Sequence, residues 1–108
     1  MANQTYSNTT MESRMLRIQA GDYVKQLRIA QGLTQRELAD ILSLKHYTFI
    51  SQLETGQGRL PPALTIKCAI ALGQNPREFA LKMLSYYDPH TYQAVTYEAN
   101  MSEDEVKY

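Results

Sequence analysis

At 108 residues, with 11 basic and 11 acidic side chains, the chain is sized for one domain with a single modest core and carries no formal net charge. Residues 1 to 87 hold ten bases and six acids, whereas residues 88 to 108 hold one base and five acids, so a body of +4 precedes a tail of −4; a polyanionic partner stays open, because binding responds to the local field within about 10 Å at ~0.1 M salt. The single cysteine, Cys68, excludes an internal disulfide, a thiolate zinc cluster and a Cys-x-x-Cys redox pair, and with no signal peptide or membrane-length apolar run in view the chain is read as cytoplasmic.

Residues 1 to 10 are polar and rich in Asn and Thr, too poor in apolar surface to offset chain entropy, so a mobile arm is expected there. From Met11 the pattern turns helical. Leu16, Ala20, Tyr23, Val24, Leu27 and Ala30 share one face, and Gly21 in their midst, costing about 1 kcal/mol, marks the expected place of a break into two shorter helices. Gln31-Gly32 ends this segment. Thr34 and Glu37 stand three apart ahead of an apolar run, the spacing at which the hydroxyl takes a first-turn N–H and the carboxylate reaches back to the Thr34 N–H. A helix therefore starts near Gln35, with Leu38, Ala39, Ile41 and Leu42 as its buried face. A break at Ser43-Leu44 precedes a third periodic set, Phe49, Ile50 and Leu53, which Gly56 closes by taking the left-handed conformation.

One glycine and two prolines make Gln57 to Pro62 a loop. Helix four is expected from roughly Ala63 to Leu72, terminated by Gly73. Asn75-Pro76-Arg77-Glu78 is a cap followed by a first-turn proline, opening a fifth helix to about Tyr87. Asp88-Pro89 repeats that signal, so a last short helix around Pro89 to Val95 is expected, although the alternation Tyr92, Ala94, Thr96 leaves a strand open. Beyond Glu98 the acidic end is expected to be loose.

The stretch Leu33 to Glu54, two short helices around a tight turn, has the layout of a helix-turn-helix DNA reader. Its marks are Leu27-Arg28, Gly32-Leu33-Thr34-Gln35, Glu37-Leu38-Ala39, Ile50-Ser51, Leu53-Glu54, Gly56, Pro61 and Ala71-Leu72-Gly73. Together they resemble the Cro and lambda-repressor type helix-turn-helix family, also called the XRE family, over about Gly21 to Phe79. The resemblance implies an all-α fold: a five-helix lambda-repressor-like DNA-binding domain over residues 11 to 87, with a short C-terminal extension over 88 to 108. One departure stands out. Between Leu42 and Ile50 the chain has one residue more than the family's usual spacing, which alters the turn or the start of the next helix around Lys45 and His46.

By that resemblance, the helix from about His46 to Glu54 lies in the major groove and presents its first turn and a half to base edges. Tyr47, Thr48 and Gln52 are the first candidates for base readout and Lys45, His46 and Ser51 the second. Gln can bridge an adenine edge, and Thr or the Tyr ring can meet a thymine methyl. Gln35, Arg36, Gln57 and Arg59 are the candidates for phosphate contacts, Gln35 because it opens a helix whose free N–H groups and dipole favour an anion. Arg28 and Glu54 match the family's internal ion pair, a structural role preferred over a catalytic one.

Phe49, Ile50 and Leu53 are read as core, and Cys68 as a small buried hydrophobe. His46 and His90 are too few for a metal site, and no Gly-rich phosphate loop or nucleophile set is present, so no cofactor, metal or catalysis is expected. Five of eight tyrosines fall in the last quarter, and helix five is apolar over more than one stripe. Phe79, Met83, Leu84, Tyr86, Tyr87 and Tyr92 are therefore either extra core or a twofold interface that sets two reading helices ~34 Å apart. The resulting expectation is a homodimeric transcriptional repressor on a near-palindromic double-stranded DNA operator. The alternative is an antitoxin whose part from Tyr86 to Tyr108 wraps a toxin.

Overall fold

The computed structural model describes residues 10–98. All of the expected arm except Thr10, and the acidic end from residue 99 onward, lie outside the described residues. The fold is all-α: α1 (Met11–Ala30), α2 (Gln35–Ile41), α3 (Thr48–Thr55), a 3₁₀ turn (Pro62–Leu64), α4 (Thr65–Ala71), α5 (Pro76–Tyr87) and α6 (Pro89–Val95). The long α1 packs against α3 on one side and α5 on the other; α2 lies against α3 and α4, α4 against α5, and α6 against α5. Val24, Leu38, Leu42, Ile50, Leu53, Cys68, Leu72 and Phe79 are fully buried where these helices meet.

The expected break at Gly21 does not occur, and α1 is one helix of 20 residues. Glycine serves packing here rather than flexibility: a Cβ at Gly21 would lie 2.5 Å from the Leu53 carbonyl oxygen and 2.6 Å from that of Glu54. Only a residue without a side chain lets the last turn of α3 rest directly on α1. The opposite end of α1 is capped by the Thr10 hydroxyl, which accepts from the Ser13 N–H at 3.1 Å.

Thr34 and Glu37 form the capping box at the start of α2, with the Thr34 hydroxyl accepting from the Glu37 N–H and the Glu37 carboxylate from the Thr34 N–H. The helix closes at Ser43, which takes a left-handed φ of 60° while the Leu44 N–H returns to the Ala39 carbonyl. The next helix starts later than its sequence suggests, at Thr48 and not near His46. Once Ser43 has turned the chain left-handed, Lys45 to Tyr47 are needed to redirect it. The first α-helical bond of α3 is therefore Ser51 N–H to Tyr47 C=O, and the additional residue is absorbed in the turn. At the far end Gly56, φ 84°, ends α3, and the Gln57 and Gly58 N–H groups both fold back onto the Gln52 carbonyl.

Helix four is also shorter than expected, because Pro62 to Leu64 take the tighter 3₁₀ form before α4 begins at Thr65. A proline at the first position costs nothing there, as its missing N–H has no intrahelical partner to lose. Asn75 caps α5 by accepting from the Glu78 N–H. The segment after Asp88 is helical and not a strand, since the Asp88 carboxylate accepts from both the N–H and the hydroxyl of Thr91.

Candidate nucleic-acid interface

Helix α3 is held from its inner side. Ile50 and Leu53 are fully buried, and Glu54 beside them is 2% exposed at its side chain. The Glu54 carboxylate accepts from Arg28 Nε at 2.6 Å, from a second Arg28 guanidinium nitrogen at 3.0 Å and from the Gln35 amide at 3.0 Å. The remaining arm of Arg28 donates to the Leu33 carbonyl at 2.8 Å. Four pieces of chain, α1, the 33–34 corner, the first turn of α2 and the end of α3, thus converge on one buried, two-pronged ion pair. Such a pair adds little net stability over an apolar substitute, but its fork geometry fixes orientation.

The opposite face of α3 is polar and open. Thr48, Gln52 and Thr55 are exposed and Ser51 is half-buried, at positions one and two turns apart along a single stripe. Lys45, His46 and Tyr47, all exposed, extend that surface ahead of the helix. The six residues singled out for base readout therefore form one continuous patch, with Lys45 on the turn and His46 and Tyr47 also there, not within the helix as expected. Thr55 was not in that set although its spacing from Thr48 and Gln52 marks the same stripe; its hydroxyl donates back to the Ser51 and Gln52 carbonyls.

Flanking this patch, Arg36 projects from the first turn of α2 and its guanidinium carbon lies 5.4 Å from the Tyr47 ring centroid. A shallow cleft of about 440 Å³ runs between them, lined by Thr34, Gln35, Arg36 and Tyr47 among others. The capping box consumes the Thr34 and Glu37 N–H groups, which leaves those of Gln35 and Arg36 without an acceptor inside the helix. Gln35 itself is half-buried, with one amide hydrogen committed to Glu54 and a second available to a ligand. On the other side of α3, Gln57 and Arg59 are exposed on the loop, with the Arg59 guanidinium 4.5 Å above the Tyr87 ring.

The proposed interface on α5 needs correction. Phe79 and Met83 are 1% and 4% exposed within the single chain, and they belong to the core. Phe79 stacks on Tyr23 at 6.1 Å between ring centroids. Tyr86 is half-buried between Tyr23 and Lys82, and Tyr87, also half-buried, accepts the Leu60 N–H at 3.0 Å on its hydroxyl. The aromatic side chains of this region are thus largely committed inside the chain; Leu84 and Tyr92 remain partly open. Burial pushes the Cys68 thiol up to about 12, with Glu54 adding to the effect, so Cys68 is an inert core residue.

Residues 24–79 match the helix-turn-helix family. The chain belongs to the Cro and lambda-repressor type helix-turn-helix family. It is a DNA-binding transcriptional regulator of that family, and the match runs from Val24 in α1 through Phe79 in α5, enclosing the ion pair, both short helices and the loop that carries Arg59. No curated protein matches the chain. Among the described residues, no helix is long and apolar enough to cross a membrane.

Proposed function

We propose that this regulator is a cytoplasmic homodimeric repressor that reads a near-palindromic operator with α3 and the turn preceding it. The observation that carries the reading is the two-sidedness of α3. One side is pinned by Ile50, Leu53 and the Arg28–Glu54 pair, and the other offers Thr48, Ser51 and Gln52 with no competing apolar residue. Gln52 is the principal reader, suited to a bidentate contact on an adenine edge, with Thr48 and Tyr47 beside it for thymine methyls and Lys45, His46 and Ser51 at the margins. Arg36 with Gln35 on one side, and Arg59 with Gln57 on the other, hold the two phosphate strands and set the register. No cofactor enters this scheme.

The antitoxin alternative draws on Tyr86 to Tyr108. It loses ground because Tyr86 and Tyr87 are spent on internal contacts. Selection of bound duplexes from a random pool tests the main reading. Wild type should enrich one inverted repeat; Gln52→Ala should relax one base position in each half-site, at a cost of about 1–3 kcal/mol, while Arg59→Ala should weaken all duplexes and lower the salt slope by about 1. Enrichment of no sequence at all, or an identical preference with Gln52→Ala, refutes the assignment.

A further inference from the structure

Helix α1 buries one face through Ala20, Gly21, Val24 and Arg28 and shows solvent a second patterned face. At about 100° per residue, Met11, Met15, Ile18, Asp22, Lys25 and Ile29 fall on one line of exposed residues, with Ile18 at its edge beside Gly56 of the α3 cap. The spacing alternates four and three residues, as in the seam of a two-stranded coiled coil. Its apolar members are open: Met11 is 70% exposed, Met15 52%, Ile18 51% and Ile29 52%. The two charges in the middle of the line, Asp22 and Lys25, are exposed, and neither has an ion-pair partner among the described residues. The Asp22 carboxylate accepts a long 3.4 Å bond from the Gln26 amide.

The line is self-complementary in an antiparallel sense. When two copies of α1 cross head to tail with residue 18 opposite residue 29, residue 22 falls opposite residue 25. Apolar then meets apolar at both outer positions and acid meets base at both inner ones. A parallel pairing would instead set Asp22 on Asp22 and Lys25 on Lys25, and moving the antiparallel register so that 18 meets 22 would place isoleucine against carboxylate. Charge pattern and apolar pattern therefore select the same arrangement.

We propose that a second copy of this chain docks on the solvent face of α1, with Ile18 against the partner's Ile29 and Asp22 against the partner's Lys25, each contact made twice by the twofold symmetry. This rests on the homodimer reading above and names the surface responsible for it, a surface distinct from the α5 residues that the fold buries.

The test is sedimentation equilibrium of the full chain as wild type, Asp22→Lys and Lys25→Asp, each alone and as an equimolar mixture of the two variants. Both substitutions are at exposed positions, and circular dichroism checks that the helical content is kept. Each variant alone sets like charges opposite each other at two symmetric places, and its dimer should weaken by about tenfold or more. In the mixture, a chain with two lysines meets a chain with two aspartates, so association should return to the wild-type level even though each helix still carries like charges within itself. Ile29→Glu should weaken self-association too, without rescue by mixing. A wild-type dimer that is indifferent to all these changes, or singly weakened variants that fail to rescue each other, overturns the α1 surface and leaves the homodimer reading intact. A wild type that stays monomeric up to about 1 mM, the weak end of specific affinities, overturns both.

Discussion

Replacing Gly21 by alanine sets helix propensity and packing against each other, and the sign of the result decides between them. In a solvent-exposed helix interior the change should stabilise by about 1 kcal/mol, since alanine holds the helical backbone better than glycine. Here the new methyl would stand 2.5 Å from the Leu53 carbonyl oxygen, 2.6 Å from that of Glu54 and 2.7 Å from the Glu54 carbonyl carbon, where ordinary contact begins near 3.4 Å. All three are backbone atoms, which cannot swing aside as a side-chain tip would. The end of α3 would have to retreat by close to 1 Å, and it is held there by Leu53 in the core and by the Arg28–Glu54–Gln35 cluster. Overpacking of this kind costs about 1–3 kcal/mol and sometimes more; taking the upper end, because the obstacle is backbone, the net loss after the propensity gain is about 2 kcal/mol. For a domain of this size that lowers Tm by roughly 8–16 °C. Urea and thermal melts of Gly21→Ala measure it, with DNA affinity as a second readout, because a displaced α3 would misplace Gln52, the reader proposed above. A melting temperature equal to or above wild type would mean that α1 and α3 are not in contact at Gly21, and the packing argument would fall.

Glu54→Ala strands the Arg28 guanidinium, 11% exposed, and the Gln35 amide without their acceptor, and should cost about 3–5 kcal/mol in urea titration; the double change Arg28→Met with Glu54→Leu should recover most of it. Tyr87→Phe leaves the Leu60 N–H without its partner and should cost about 1–3 kcal/mol. Burial holds the Tyr87 hydroxyl above its ordinary range of ~10, despite the Leu60 N–H and the Arg59 charge pulling it down. Its contribution is therefore complete below ~10 and lost as pH rises through the raised folded value, so the fall in urea midpoint on the alkaline side should be shallower in Tyr87→Phe. Asp88 behaves oppositely: the Thr91 hydroxyl and N–H hold its carboxyl below the usual range, so its cap on α6 is complete above ~3.9 and lost as pH falls through the lower folded value. The protection of the Thr91 amide relative to its intrinsic exchange rate at the same pH should fall over that acid interval in wild type, with protection in α3 unaffected.

Helix starts were legible because their causes are local. Thr34 with Glu37, Asn75 before Pro76 and Asp88 before Pro89 each place a side-chain acceptor within three residues of the N–H it takes, and all three caps form. Gly21 was misread for the complementary reason. Its role depends on carbonyls more than thirty positions away, and within α1 a glycine that admits a neighbouring helix looks the same as one that weakens its own. The late start of α3 turns on Ser43 taking a left-handed backbone, which composition does not announce. The choice between core and interface for Phe79 and Met83 stayed open for a third reason: an all-round apolar helix implies burial, but whether the covering surface comes from the same chain or another is a tertiary fact. Here Phe79 and Met83 are covered within the same chain, with Tyr23, Tyr86 and Tyr87 packed against the core they join.

Helix α3 is only eight residues long, opens at Tyr47 without a side-chain cap and has no basic residue in its last turn. Isolated helices below about 12–15 residues are marginal in water, so the shape of the reading surface has to be supplied from elsewhere. The supports on the page are all at its buried side or its C-terminal end: Ile50 and Leu53 in the core, Glu54 in the ion pair, Gly56 and the Gln57 and Gly58 N–H groups closing the last turn, and Gly21 letting α1 lie beneath it. The N-terminal turn, where Tyr47 and Thr48 stand, has no side-chain cap and fewer such constraints. Under the proposed reading, Gln52 would act from the fixed end of this short helix, which sets the angle of approach, and Tyr47 and Thr48 from the less constrained one. It follows that substitutions at Gly21 or Glu54, which touch no base, should broaden sequence preference as well as lower stability, whereas changes at Thr48 or Gln52 should alter preference with the melting temperature left in place.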